Sequence, residues 1–426
     1  MSGRPKAVLF ANTDWYLWNF RLPLASRLKD SGFDVLLVSP PGPYGARLRD
    51  AGFRWQALAM DRLSLNPWRE MRVLADLVRL YWRERPDIVH HFTIKCVVHG
   101  AVAAALTGVP ARVHAVIGLG YVFTSPALKA RLLRPLVRRL LRRALTIRGS
   151  RLILQNAGDL AAFQRMRLAD VRRMRLIEGS GVDTGRFRPA AEPVLSGRTT
   201  QVLLASRLLW DKGISEYVEA ARTLRAASLP IRCLLAGAPD PGNPASIPQA
   251  QLDAWAAEGI IELLGQVEDM PAQLARTDIA VLPSYYGEGL PKSLIEATAC
   301  ALPLITTDVP GCRDVVTDGQ DGLIVPVRNA PALAAAIRAL HEDPKRARQL
   351  GRAARRKALA QFDERIVISR TLEVYAELSG AREVLTSLAP QAPSCSSAQA
   401  VAGPRPPSRR GRPRGSCRRA PSPAVR

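Results

Sequence analysis

The chain has 426 residues, 47% hydrophobic and 23% charged, a globular composition long enough for roughly two to three domains. Lysine and arginine total 61 against 37 acidic residues, a formal charge of +24, which points to an anionic partner or to a large solvated surplus of arginine. A membrane-spanning helix is excluded as an expectation, because no uncharged apolar run reaches about eighteen residues.

The N-terminal apolar run "KAVLFA" (6–11) is too short for a secretory leader and reads as a first buried strand. "DVLLVS" (34–39), "DIVHH" (87–91), "RVHAVI" (112–117) and "RLILQ" (151–155) read as further strands. Between the first two, "FRLPLASRLKDSG" has helical spacing and stops at Ser31-Gly32. The segment before it, "NTDWYLWNFR", is expected as a loop. Residues 126–148 form a basic amphipathic helix, with leucines at helical spacing separated by arginines. This alternation makes one Rossmann-like half over residues 1–190.

"GSGVDTGRFRPAAEPVLSGRTT" then reads as a linker. The pattern restarts with "QVLLAS" (201–206), "IRCLLAG" (231–237), "IELLG" (261–265), "DIAVLPS" (278–284), "LPLITT" (302–307) and "GLIVP" (322–326). "ISEYVEAARTLRAAS" and "APALAAAIRALHED" are the clearest helices of this second half, 191–361. A C-terminal helix at about 362–378 is expected to pack back on the first half. Residues 380–426, rich in Arg, Pro and Ser, are expected to be disordered. The fold class is therefore α/β, with two Rossmann-like domains facing across a cleft. Cysteines 96, 233, 300, 312, 395 and 417 form no C-x-x-C pair, which suits a reducing cytoplasm and argues against thiolate metal binding.

Ligands favour the carboxyl ends of parallel strands. After "LLAS", Arg207 and Lys212 precede Gly213 at a helix start, a place where an anion is stabilised although no P-loop is present. After "DIAVLPS", Glu288 lies in a glycine-flanked loop, and Glu296 lies slightly more than one turn into the next helix, which Pro291 suits at its first turn. Each glutamate alone also reads as an ordinary loop or helix-start charge. Together they suit a ligand with hydroxyl groups on either side of a phosphate.

These residues resemble the retaining nucleotide-sugar glycosyltransferases of the GT-B fold, glycosyltransferase family 4. The resemblance rests on "SRLLWDKGI", "LLGQVEDM", "PSYYGEGLPKSLIEATACALPLITTDVPGCRDVV" and "DGQDGLIVP", in that order. It implies that Arg207 and Lys212 hold the donor diphosphate. Glu288 would contact the donor hexose, with the Gly289 and Leu290 amides near the β-phosphate. Glu296 would hold the ribose, and the backbone around Val267 would meet the base. "HHFTIKCVVHGAVAAALTGVPARVHAVIGLGYVFTS" and "LILQNAGDLAAF" resemble a branch that extends undecaprenyl-diphosphate-linked sugars, N-acetylgalactosaminyltransferases among them. A histidine usual to the family has no counterpart in the loop at Gly118 and Tyr121. His90 and His91 are the nearest substitutes, and Asn12, Thr13 and Arg21 stand where a double glycine is usual; all seven are candidate acceptor or cleft residues.

The implied reaction moves a hexose or N-acetylhexosamine from a UDP-sugar to a lipid-linked saccharide in bacterial surface glycan assembly, with retention. No D-x-D carboxylate pair is present, so no metal and no other cofactor is expected. The basic helix suits an anionic inner-membrane surface, with the protein cytoplasmic and peripheral. A nucleotide-sugar 2-epimerase is the alternative on the same fold. Nucleic-acid binding is more distant, since the basic segment lacks interleaved aromatics.

Overall fold

The computed structural model describes residues 4–62, 64, 66–117, 128–190, 199–240 and 242–378, with only the backbone described at 128–130, 132 and 133. The expected disordered tail and the candidates Gly118 and Tyr121 lie outside the described residues. Both sheets belong to one compact unit.

The apolar runs form two parallel sheets. In the first, β1 (Lys6–Phe10), β2 (Asp34–Ser39), β3 (Arg54–Ala57), β4 (Ile88–Phe92), β5 (Ala111–Val116), β6 (Ser150–Leu154) and β7 (Met174–Leu176) lie in the order 3-2-1-4-5-6-7. In the second, β8 (Thr200–Ala205), β9 (Ile231–Ala236), β10 (Ile261–Gly265), β11 (Ile279–Leu282), β12 (Leu304–Thr307) and β13 (Leu323–Val325) lie in the order 10-9-8-11-12-13. Helices cover both faces, so a central strand such as β11 is apolar along its length and wholly buried. Strand order reverses between β1 and β4 and between β8 and β11. Crevices open at such reversals, beyond the carboxyl ends of the strands.

The loop expected after β1 is shorter than its sequence suggests. Helical backbone begins at Asp14, passes through a π turn at Leu17–Arg21 and continues as Leu22–Asp30. Thr13 caps it, accepting from Tyr16 N at 3.1 Å. The Asp14 carboxylate, 4% exposed, accepts from the amides of Tyr44 at 2.7 Å and Gly45 at 3.0 Å. That long-range anchor holds a turn that local periodicity does not announce.

Part of the expected linker is tightly packed. Val182 pairs with the segment before the last helix: Val182 N donates to Phe362 O and Glu364 N to Val182 O, both at 2.9 Å. Thr184 Oγ1 donates to Asp363 Oδ2 at 2.5 Å. The Glu364–Ala376 helix then returns to the first sheet, where Val367, Leu372 and Tyr375 share one core with Leu9, Phe92 and Val113.

The basic helix spans Leu128–Thr146. Leu141, Ala144 and Leu145 are buried, the leucines packing with Leu152 and Leu154 of β6. Arg138, Arg139, Arg142 and Arg143 are exposed, as are Leu136 and Leu140. Among the described residues no helix is long and apolar enough to cross a membrane.

Candidate active site

The two crevices face each other across a cavity of about 870 Å³. Arg207, Lys212, Val267, Glu288, Gly289, Leu290 and Glu296 line it from the second lobe, and Asn12 and Thr13 from the first. These nine sequence-derived candidates, spread over nearly 300 positions, thus share one space.

Arg207 follows β8, with its side chain half exposed and Nη1 bonded to Asp240 Oδ2 at 2.7 Å. Lys212 ends a short 3-10 turn, and Gly213 behind it has φ +73°, with its place for a Cβ only 2.1 Å from Pro283 O. Only glycine fits there, so the Ile214–Ala226 helix starts directly beside the β11 loop. That proximity pairs Lys212 with Glu288: the ammonium donates to Oε1, which also accepts from Ser284 Oγ at 3.0 Å.

The next helix runs Lys292–Ala299, with Pro291 as its cap rather than within its first turn. Glu296 sits one turn in, with Lys292 Nζ at 3.9 Å. Burial raises the Glu296 carboxyl above its usual range, while the charges of Lys292 and Arg186 work against that shift. Burial lowers the Lys292 ammonium, with Glu296 and Glu364 opposing. Lys292 crosses the cleft to donate to Asn19 O and stands 4.7 Å from the Phe20 ring centroid.

Three first-lobe candidates prove to be core residues. Arg21 is 5% exposed, donates to Tyr16 Oη at 2.9 and 2.6 Å, and lies 4.4 Å over the Phe92 ring. It supports the wall from beneath. His90 and His91 occupy β4, which is covered on both faces, so neither reaches the cavity. His90 Nδ1 pairs with Tyr375 Oη at 2.7 Å. His91 lies between Tyr81 Oη at 2.9 Å and His114 Nδ1 at 3.1 Å. Burial holds both imidazoles well below their ordinary range, with Arg21 adding to the effect on His90 and His114 to that on His91. His114 itself is pushed down to about 3, chiefly by burial. These are neutral core histidines.

Sequence reasoning passed over other cavity residues. Asp240, in the loop after β9, accepts from both Arg207 and Arg62, the latter from the first lobe. Burial acts to raise its carboxyl, but hydrogen bonds from Arg62 and Asn243 and the charges of Arg62 and Arg207 outweigh that and hold it below its ordinary range. Lys95 fixes the Arg62 loop by donating to Asp61 O at 2.6 Å and Ser64 O at 2.9 Å. The signal for Asp240 was its place as the one carboxylate in "AGAPDPGNPAS"; Arg62 had none. Cys96, Cys233, Cys300 and Cys312 are buried free thiols, and among the described residues no acid, histidine and cysteine cluster is arranged to hold a metal.

The arrangement supplies cations and open backbone amides to an anion, flanked by carboxylates that accept hydroxyl donors. The family model described as "Glycosyl transferase 4-like" matches residues 6–150, and that described as "Glycosyl transferases group 1" matches residues 190–357, together more than two thirds of the chain. The N,N'-diacetylbacillosaminyl-diphospho-undecaprenol alpha-1,3-N-acetylgalactosaminyltransferase of Campylobacter jejuni is 28% identical over 369 residues, 84% of this chain and 95% of the relative. The UDP-Gal:alpha-D-GlcNAc-diphosphoundecaprenol alpha-1,3-galactosyltransferase of Escherichia coli is 26% identical, over 74% of this chain and 82% of its own. The Anabaena protein Alr3699/HepE, solved in complex with UDP-glucose, has the same fold, with a TM-score of 0.70 at 18% identity over 88% of this chain and 100% of that one. The chain belongs to the glycosyltransferases of the GT-B fold, with a 4-like first domain and a group 1 second domain.

Proposed function

We propose that the enzyme transfers a hexose or N-acetylhexosamine, with retention, from a UDP-sugar to a saccharide carried on a lipid diphosphate, undecaprenyl diphosphate being the carrier in two similar enzymes. One observation carries this reading: Arg207, Lys212, Glu288 and Glu296 line one cavity with the Gly289 and Leu290 backbone. As the bond from the sugar to the diphosphate lengthens, negative charge grows on the leaving phosphate. Arg207, Lys212 and the two amides stabilise that charge more than they stabilise the bound donor. The diphosphate takes over cations that Asp240 and Glu288 otherwise neutralise. Glu288, released from Lys212, accepts from hexose hydroxyls, Glu296 accepts from the ribose, and the backbone at Val267 meets the base. In this reading neither a metal nor another cofactor is needed, and no side chain is assigned as base toward the acceptor; Asn12 and Thr13 face the acceptor.

The surplus of positive charge is assigned to an anionic inner-membrane surface rather than to nucleic acid. Five exposed arginines, Arg131 among them, and two exposed leucines on the Leu128–Thr146 helix support this, each arginine near such a surface being worth roughly 1 kcal/mol. The protein is then peripheral on the cytoplasmic face.

The test is incubation of the enzyme with radiolabelled UDP-sugars and bacterial membranes. Label should enter the lipid fraction with wild type and not with Glu288→Ala. Conversion of free UDP-sugar to its epimer without acceptor would instead support a 2-epimerase.

A further inference from the structure

Asn156 belongs to the first lobe, just after β6. It is 1% exposed, and its Oδ1 caps the Ala157–Arg165 helix by accepting from Asp159 N at 2.6 Å. Its amide nitrogen faces the other lobe. Nδ2 lies 3.2 Å from Glu288 O and 2.9 Å from Gly289 O, with Asp159 Oδ2 also at 2.9 Å. From the second lobe the same two carbonyls are enclosed by Gly311, whose Cβ, if present, would lie 2.6 Å from each. Glu288 N is held as well, donating to Pro310 O at 3.0 Å.

A trans peptide sets its C=O and N–H in opposite directions. The Glu288 carbonyl shares a peptide with the Gly289 N–H, and the Gly289 carbonyl with the Leu290 N–H. Holding both carbonyls on Asn156 therefore turns both N–H groups away from it. Neither N–H donates to an acceptor among the described residues, and both residues line the cavity. Two successive open amides on a cavity wall form an anion-binding pair.

We infer that Asn156 is a positioning residue that aims the Gly289 and Leu290 amides at the donor β-phosphate, so the first lobe completes the phosphate site of the second. The inference rests on the UDP-sugar reading above. No motif of the second domain encodes this contact, because it comes from the opposite lobe.

The test is calorimetric titration of the full chain with UDP and with UMP, which lacks the β-phosphate. Asn156→Ser keeps an oxygen suited to cap the helix and removes the amide. UDP affinity should fall about tenfold or more while UMP affinity stays within about twofold, in a chain that circular dichroism shows still folded at the titration temperature. Asn156→Asp, of the same shape and also a good cap, turns a carboxylate toward both carbonyls and should show the same selective loss if the serine variant proves unstable. An equal loss for both nucleotides, or none, overturns the inference and leaves the UDP reading standing. A wild-type chain that binds neither overturns both.

Discussion

Lys212 and Glu288 are hydrogen-bonded to each other inside the cavity, and both side chains are only 12–15% exposed. Removing one leaves the other charge poorly solvated. Lys212→Met and Glu288→Gln should each destabilise the fold by about 2–4 kcal/mol. The double variant should cost less than the sum, since the pair acts as a unit. Urea unfolding of the four proteins checks this; strictly additive losses would count against the pair. Each single variant should also lower kcat/KM by about 100-fold or more in steady-state assays.

Donor binding should release a proton in weakly acidic solution. Burial raises Glu296 above its ordinary 4.5. A ribose hydroxyl that donates to the carboxylate favours the ionised form and lowers it again. Between the ordinary and the raised value, the free protein holds a proton that the complex lacks. Titrations of UDP-glucose just above pH 4.5, in buffers of different ionisation heat, should show release that Glu296→Gln abolishes. Proton uptake would contradict the assignment.

The Arg62–Asp240 pair should make the fold sensitive to acid in a defined direction. Asp240 is held below its ordinary 3.8, so the pair contributes above that pH and is lost as pH falls through the lower folded value. Arg62→Ala raises the folded value and should cost about 1–2 kcal/mol at neutral pH. Its acid unfolding, followed by circular dichroism, should begin at a higher pH than wild type. An unchanged acid midpoint would show that the pair does not form in solution.

Thr93, at the mouth of β4, has φ +72° and ψ +153°, a region that β-branched residues rarely occupy. Thr93→Gly should therefore stabilise the protein by about 1 kcal/mol, read as a higher melting midpoint. A loss of stability would mean that the threonine side chain contributes more than the backbone strain costs.

Runs such as "DVLLVS" and "DIAVLPS" announced their strands because a parallel strand covered on both faces needs unbroken apolar sequence. Arg54–Ala57 and Met174–Leu176 gave no such signal; each is a sheet edge with one neighbour. Glu288 and Glu296 were legible because one loop and helix carry both. The long-range pairings of the cavity were not, since Lys212 meets Glu288 across 76 positions and Arg62 meets Asp240 across 178. His90 and His91 were misjudged because a polar residue near the end of a strand reads alike whether it meets solvent or a tyrosine. Only the packing of Tyr375 and Tyr81 distinguishes the two.

The return of the Glu364–Ala376 helix limits how the molecule can be divided. A fragment ending near residue 190 would expose the hollow that Tyr375 and Leu372 fill and strand His90 without its phenol. Recombination with a related enzyme to exchange donor preference must therefore swap an internal cassette, keeping both chain crossings and the final helix with the recipient.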